Sequence, residues 1–146
     1  MWAAYQRSTT RGYVEGEGIF QQYLFEAGKT YDIFIRFKTS TNDITKPGYF
    51  VVAMANNLTQ GDASKCGGEL PSNSNLQVEK IAEHGEKTTN WKVLELKSYT
   101  VPAGTNYSQL WVYAYTNSTS IDDDKYVVNI DYIQVCPKAP EPCPTA

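Results

Sequence analysis

Residues 109–116 read Gln109-Leu110-Trp111-Val112-Tyr113-Ala114-Tyr115-Thr116 and alternate two kinds of side chain with period two. In an extended chain, successive side chains point to opposite faces, so Leu110, Val112 and Ala114 share one face and Trp111, Tyr113 and Tyr115 the other. β-Branched and aromatic residues suit a pleated, half-buried surface. The pattern is that of a strand, and it recurs in both directions along the chain.

Upstream, residues 18–25 set Ile19, Gln21, Tyr23 and Phe25 against Phe20, Gln22 and Leu24, and end in the turn Glu26-Ala27-Gly28-Lys29. Gly28 supplies the positive φ that such turns require. Residues 30–39 then place Tyr31, Ile33, Ile35 and Phe37 on one face and Asp32, Phe34, Arg36 and Lys38 on the other. Two strands joined by so short a turn are expected to form a hairpin. Lys46-Pro47-Gly48 punctuates before a third strand at 49–55, and residues 56–75, rich in Asn, Ser, Gly and Pro, read as a long surface loop. Shorter strands are expected at 76–82 and at 90–100, the latter opening with Trp91; Val101-Pro102-Ala103-Gly104 is a turn.

Residues 126–135 close the sequence of strands. There Tyr126, Val128 and Ile130 share a face, yet the next apolar residues are Ile133 and Val135, so the phase slips by one at Asp131-Tyr132. A β-bulge at that point keeps both sets on the core side. No segment sustains an apolar repeat of helical period. Short strands with turn signals between them define an all-β protein, a two-sheet antiparallel β-sandwich. Residues 1–136 form this domain, and 137–146, with four prolines, read as a stiff linker or tail.

The composition agrees. At 146 residues there is room for one core, and 41 % hydrophobic with 20 % charged residues is a globular balance. Aromatic residues reach 13 %, eleven of them Tyr. The net charge of −3 argues against a nucleic-acid partner, which calls for a basic face. No apolar run approaches the roughly 18 residues needed to cross a bilayer, so no membrane insertion is expected. The opening Met1-Trp2-Ala3-Ala4 lacks the basic and apolar regions of a signal peptide, which together with the proline-rich end suggests a fragment of a longer protein. Cys66, Cys136 and Cys143 are an odd count, allowing at most one internal disulfide; Cys66 or Cys143 bonded to Cys136, a bond to a neighbouring chain, and three free thiols all remain open.

Several short motifs fall in a familiar order: Gly18-Ile19-Phe20-Gln21-Gln22, Ala27-Gly28-Lys29-Thr30-Tyr31, Trp91, Val101-Pro102-Ala103-Gly104 and Asn129-Ile130-Asp131-Tyr132-Ile133. Over about residues 13–135 the chain resembles the jelly-roll carbohydrate-binding modules attached to bacterial cellulases, xylanases and laminarinases. The resemblance implies a jelly roll, a polysaccharide or glycan as partner, an extracellular or cell-surface location, and a structural role for Asp131. Such modules usually have a further N-terminal strand whose acidic segment helps hold a structural calcium. With about a dozen residues before Tyr13, that strand is expected to be absent, displaced or supplied by another chain.

The residues themselves suggest where a sugar would bind. Trp111, Tyr113 and Tyr115 project from one face, roughly 7 Å apart along the strand. Pyranose rings present apolar C–H faces, and contiguous exposed aromatic surface marks contact sites. If the strand at 30–39 lies nearby in the same sheet, Phe34, Arg36 and Lys38 join that surface, Arg36 as a donor to hydroxyls or to an acidic sugar. The opposing possibility is that these aromatics are covered packing. Asp131, at a strand irregularity, is a candidate metal ligand for Ca²⁺, with a bulge-pinning acceptor as the plainer role. Trp91 reads as core or strand-edge packing and His84 as inert. Glu15 and Glu17 share a strand face but have no supporting glycosidase motif. With no GxSxG, phosphate loop or Cys/His pair, the expectation is a non-catalytic binding module. The alternative is a structural sandwich subunit of a surface filament, adhesin or phage particle that accepts a neighbour's strand.

Overall fold

A computed structural model describes residues 2–8, 13–16, 18–41, 49–59, 77–85, 88, 90–115 and 124–138. Among these, the strands in chain order are β1 (Trp2–Ser8), β2 (Tyr13–Gly16), β3 (Gly18–Phe25), β4 (Thr30–Thr41), β5 (Tyr49–Asn56), β6 (Gln77–Gly85), β7 (Lys92–Thr100), β8 (Tyr107–Tyr115) and β9 (Asp124–Pro137). They form a five-stranded sheet in the order β2-β1-β9-β4-β7 and a four-stranded sheet in the order β3-β8-β5-β6, with antiparallel pairings. The expected two-sheet antiparallel sandwich is the observed one. No helix among the described residues is long and apolar enough to cross a membrane.

The core lies between the sheets and follows the alternation of the strands. Tyr31, Ile33, Ile35 and Phe37 of β4 are buried there with Phe25, Phe50, Val52, Met54, Leu110, Val112, Val128 and Ile130, while Asp32, Phe34, Arg36 and Lys38 stay partly exposed on the outer side. Aromatic rings bind this layer together: Phe37 lies 4.8 Å from Phe50, and Phe25 meets Tyr31 edge-on at 5.2 Å between centroids. Burial raises the phenol pKa values of Tyr23, Tyr99 and Tyr107 at the core's margin, because the charged form would lose its hydration.

Three local expectations meet the structure directly. The phase slip in β9 is a bulge: Arg36 faces Tyr132 and the next residue, Phe37, faces Ile130, so Asp131 is the extra residue. The hairpin at 26–29 does not form. β3 pairs with β8 and β4 pairs with β7 and β9, so the turn carries the chain from one sheet to the other. Its backbone bonds go to a second turn instead: Gly28 N–H donates to Val101 O and Val101 N–H to Lys29 O, each at 2.9 Å. With Phe25 and Tyr31 buried on either side, the turn closes one end of the sandwich. The N-terminal strand expected to be missing is present, since β1 lies between β2 and β9 and pairs with both.

Cys136, buried near the end of β9, is disulfide-bonded; Cys66 and Cys143 lie outside the described residues, as do 60–76 and 139–146.

Candidate functional site

The sandwich has two outer faces, and the expected site residues divide between them. Trp111 occupies the outer face of the four-stranded sheet, as its alternation requires, but its exposure is 0 %. Phe20 of the edge strand β3 stacks on it, ring centroids 4.5 Å apart and planes 17° from parallel. Val51, Ala53 and Ala55 of β5, with Leu58 and Val78, complete an apolar cluster around the indole. Leu58 is fixed over this face by the amide of Gln109, which accepts from Leu58 N–H at 3.0 Å and donates to Leu58 O at 3.1 Å. Trp111 is therefore packing and not an open platform. Its indole N–H has no hydrogen-bond partner among the described residues. The backbone of Tyr113 and Tyr115 continues β8, and their side chains lie outside what is described.

Phe34 and Arg36 lie on the other side of the molecule. β4 is in the five-stranded sheet and β8 in the four-stranded one, so these two do not share a surface with Trp111. The register sets out what surrounds them. Phe34 stands between Gln134 of β9 and Glu95 of β7; Arg36 stands between Tyr132 and Val93; Lys38 lies opposite Asn129. Neighbouring strands run about 4.8 Å apart and alternate residues about 7 Å apart, so this grid is a surface a few sugar rings across.

Trp91 completes the grid where β7 begins, in line with Lys38. It is 38 % exposed, and Val93 beside it is 44 % exposed. The Arg36 guanidinium carbon lies 5.1 Å from the indole centroid and the Lys38 ammonium 5.0 Å, within cation–π range. The segment entering Trp91 is docked on β4 by reciprocal bonds: Thr39 N–H donates to Thr88 Oγ1 at 2.8 Å and Thr88 N–H to Thr39 Oγ1 at 3.2 Å. Both threonines are buried. In the sequence Trp91 reads as core or strand-edge packing; the sheet order places the strand it opens, β7, at the edge.

Asp131 belongs to this face too. The bulge presents its carboxylate to Arg36, whose Nη1 donates to Oδ2 at 2.5 Å. Among the described residues no group of three or more acidic, His or Cys side chains gathers at this carboxylate, which is paired with the Arg36 guanidinium. That pairing fixes the side chain of Arg36.

The two-sheet antiparallel sandwich is a fold this chain shares with solved carbohydrate-binding modules. It is similar to the CBM22-2 xylan-binding domain from Paenibacillus barcinonensis Xyn10C, at 16 % identity and a TM-score of 0.50, over 94 % of this chain and 91 % of that one. It is also similar to the structure described as "CBM4 structure and function", at 12 % identity and a TM-score of 0.46, over 94 % of each chain. By sequence it matches no family model and no curated protein.

Proposed function

We propose that this chain is a non-catalytic carbohydrate-binding domain whose ligand lies across the outer face of the five-stranded sheet. The observation that carries the reading is Trp91: an exposed indole beside two cationic side chains, on a sheet face that also offers Phe34 and Tyr132. An indole gives the apolar C–H face of a pyranose a flat partner, and Arg36, Asn129 and Gln134 supply hydrogen bonds to its hydroxyls. Asp131 holds Arg36 in place before the ligand arrives, which lowers the ordering cost of binding. The xylan-binding domain of like fold supports the ligand class. The disulfide at Cys136 suits an extracellular or cell-surface setting.

A polysaccharide array probed with the isolated domain tests this. Trp91→Ala should lose most binding, with affinity falling about tenfold or more, while its circular dichroism stays native. Full binding by Trp91→Ala would remove this face from consideration.

A further inference from the structure

We infer that this face selects polysaccharides that carry carboxylates, and that Lys38 reads their charge; the inference rests on the sugar-binding reading of the same surface.

Among the described residues, the ion pairs on the outer face leave one cation without a carboxylate. Asp32 lies 3.7 Å from Lys138 and accepts Ser98 N–H at 2.8 Å; Glu95 lies 3.8 Å from Lys97; Asp131 holds Arg36 at 2.5 Å. Lys38 has no carboxylate partner among the described residues, and its ammonium rests over the Trp91 ring. The whole chain is acidic, at −3. A cation with no carboxylate partner among the described residues, beside the exposed indole, is thus a local feature that runs against the overall charge.

Geometry makes that cation usable. The carboxylate of a uronic acid projects from the rim of the pyranose ring. A ring stacked on Trp91 sets its rim at the border of the indole, within reach of a lysine on a four-carbon stem. The ammonium is a compact point charge with three donors and can exchange a cation–π contact for a charge-assisted bond to the carboxylate. Arg36, already paired with Asp131, is left to donate to hydroxyls. Neutral glycans would use the indole and Arg36 and gain little from Lys38.

The experiment compares alginate, polygalacturonate and glucuronoxylan with the carboxyl-reduced form of each polymer, by affinity electrophoresis and calorimetry on the same folded protein. At least one acidic polymer should bind about tenfold tighter than its reduced form at low ionic strength, and the gap should narrow as salt screens the charge. Lys38→Gln should shrink the gap to about twofold or less without changing affinity for the reduced polymer, and Lys38→Arg should keep it. Equal affinity of the wild type for every acidic polymer and its reduced form, or an undiminished gap in Lys38→Gln, would overturn the role of Lys38 while leaving a carbohydrate-binding domain. No binding to any of the six polymers by a natively folded domain would overturn both readings.

Discussion

Trp91 and Trp111 differ in what their neighbours do rather than in chemistry. Each sits on an outward sheet face, yet Trp111 is covered by Phe20 and a cluster of small aliphatic side chains, whereas Trp91 is 38 % exposed with Arg36 and Lys38 over its ring. Truncating a fully buried aromatic typically costs about 3–5 kcal/mol. Trp111→Ala should therefore lower stability by about that much, read as a shift of the urea midpoint, and leave sugar affinity unchanged in whatever fraction remains folded. Loss of binding at native stability would return Trp111 to the site. Arg36 is the other informative residue. Its place opposite Tyr132 follows from strand pairing, but its fixed orientation comes from Asp131, the extra residue of the bulge. Asp131→Ala should weaken binding through Arg36 by a few-fold while stability moves by about 1 kcal/mol or less, as expected for a half-exposed pair.

At the scale of elements, two irregularities set which residues share a face. The bulge in β9 inserts Asp131 between Tyr132 and Ile130, whose partners Arg36 and Phe37 are consecutive. Deleting Asp131 leaves every remaining pair in its present register, so the domain should still fold, with stability altered by about 1–2 kcal/mol. Deleting Ile130 instead drives Asp131 into the position facing Phe37, buries a carboxylate, and should cost about 3 kcal/mol or more. Urea titration of the two deletions checks this, and equal stabilities would contradict the register. In β7, Ser98 takes a φ of 57°, in the left-handed region that side chains disfavour, while its N–H is held by Asp32. Ser98→Gly should gain up to about 1 kcal/mol and Ser98→Val should lose at least as much, by the same measurement. The connection at 26–29 teaches a third lesson. Four residues with a central glycine are compatible with a hairpin, but Phe25 and Tyr31 both enter the core and Val101 takes the backbone bonds, so the chain changes sheets there.

The whole molecule responds to pH and to reduction through groups away from the proposed binding face. Tyr23, Tyr99 and Tyr107 have pKa values raised above the ordinary 10.0, chiefly by burial. The native state therefore keeps these protons longer than the unfolded chain does. Their contribution to stability is fully present below pH 10 and declines as pH rises through the ordinary phenol range toward the raised native values. Thermal melts should show a flat response from neutral pH to about 9 and a falling midpoint above about 10, less steep in Tyr99→Phe. A midpoint unchanged up to pH 11 would contradict this linkage. Reducing the disulfide at Cys136 should lower stability by about 2–4 kcal/mol, seen as a lower melting temperature with reductant.

Much of this architecture was readable from the chain alone, and the limit has a physical cause. Period-two alternation is a property of the extended backbone, so residues 30–39 and 109–116 declared their faces, and the broken phase at Asp131 declared the bulge. Which sheet each strand joins is settled by pairing between residues far apart in sequence, and this separated Phe34 and Arg36 from Trp111. Whether an outward face meets solvent depends on what else folds over it, and this closed the surface over Trp111 and left Trp91 open. Faces are local geometry and legible in order of residues; partners and coverage are long-range, and only the tertiary structure decided them.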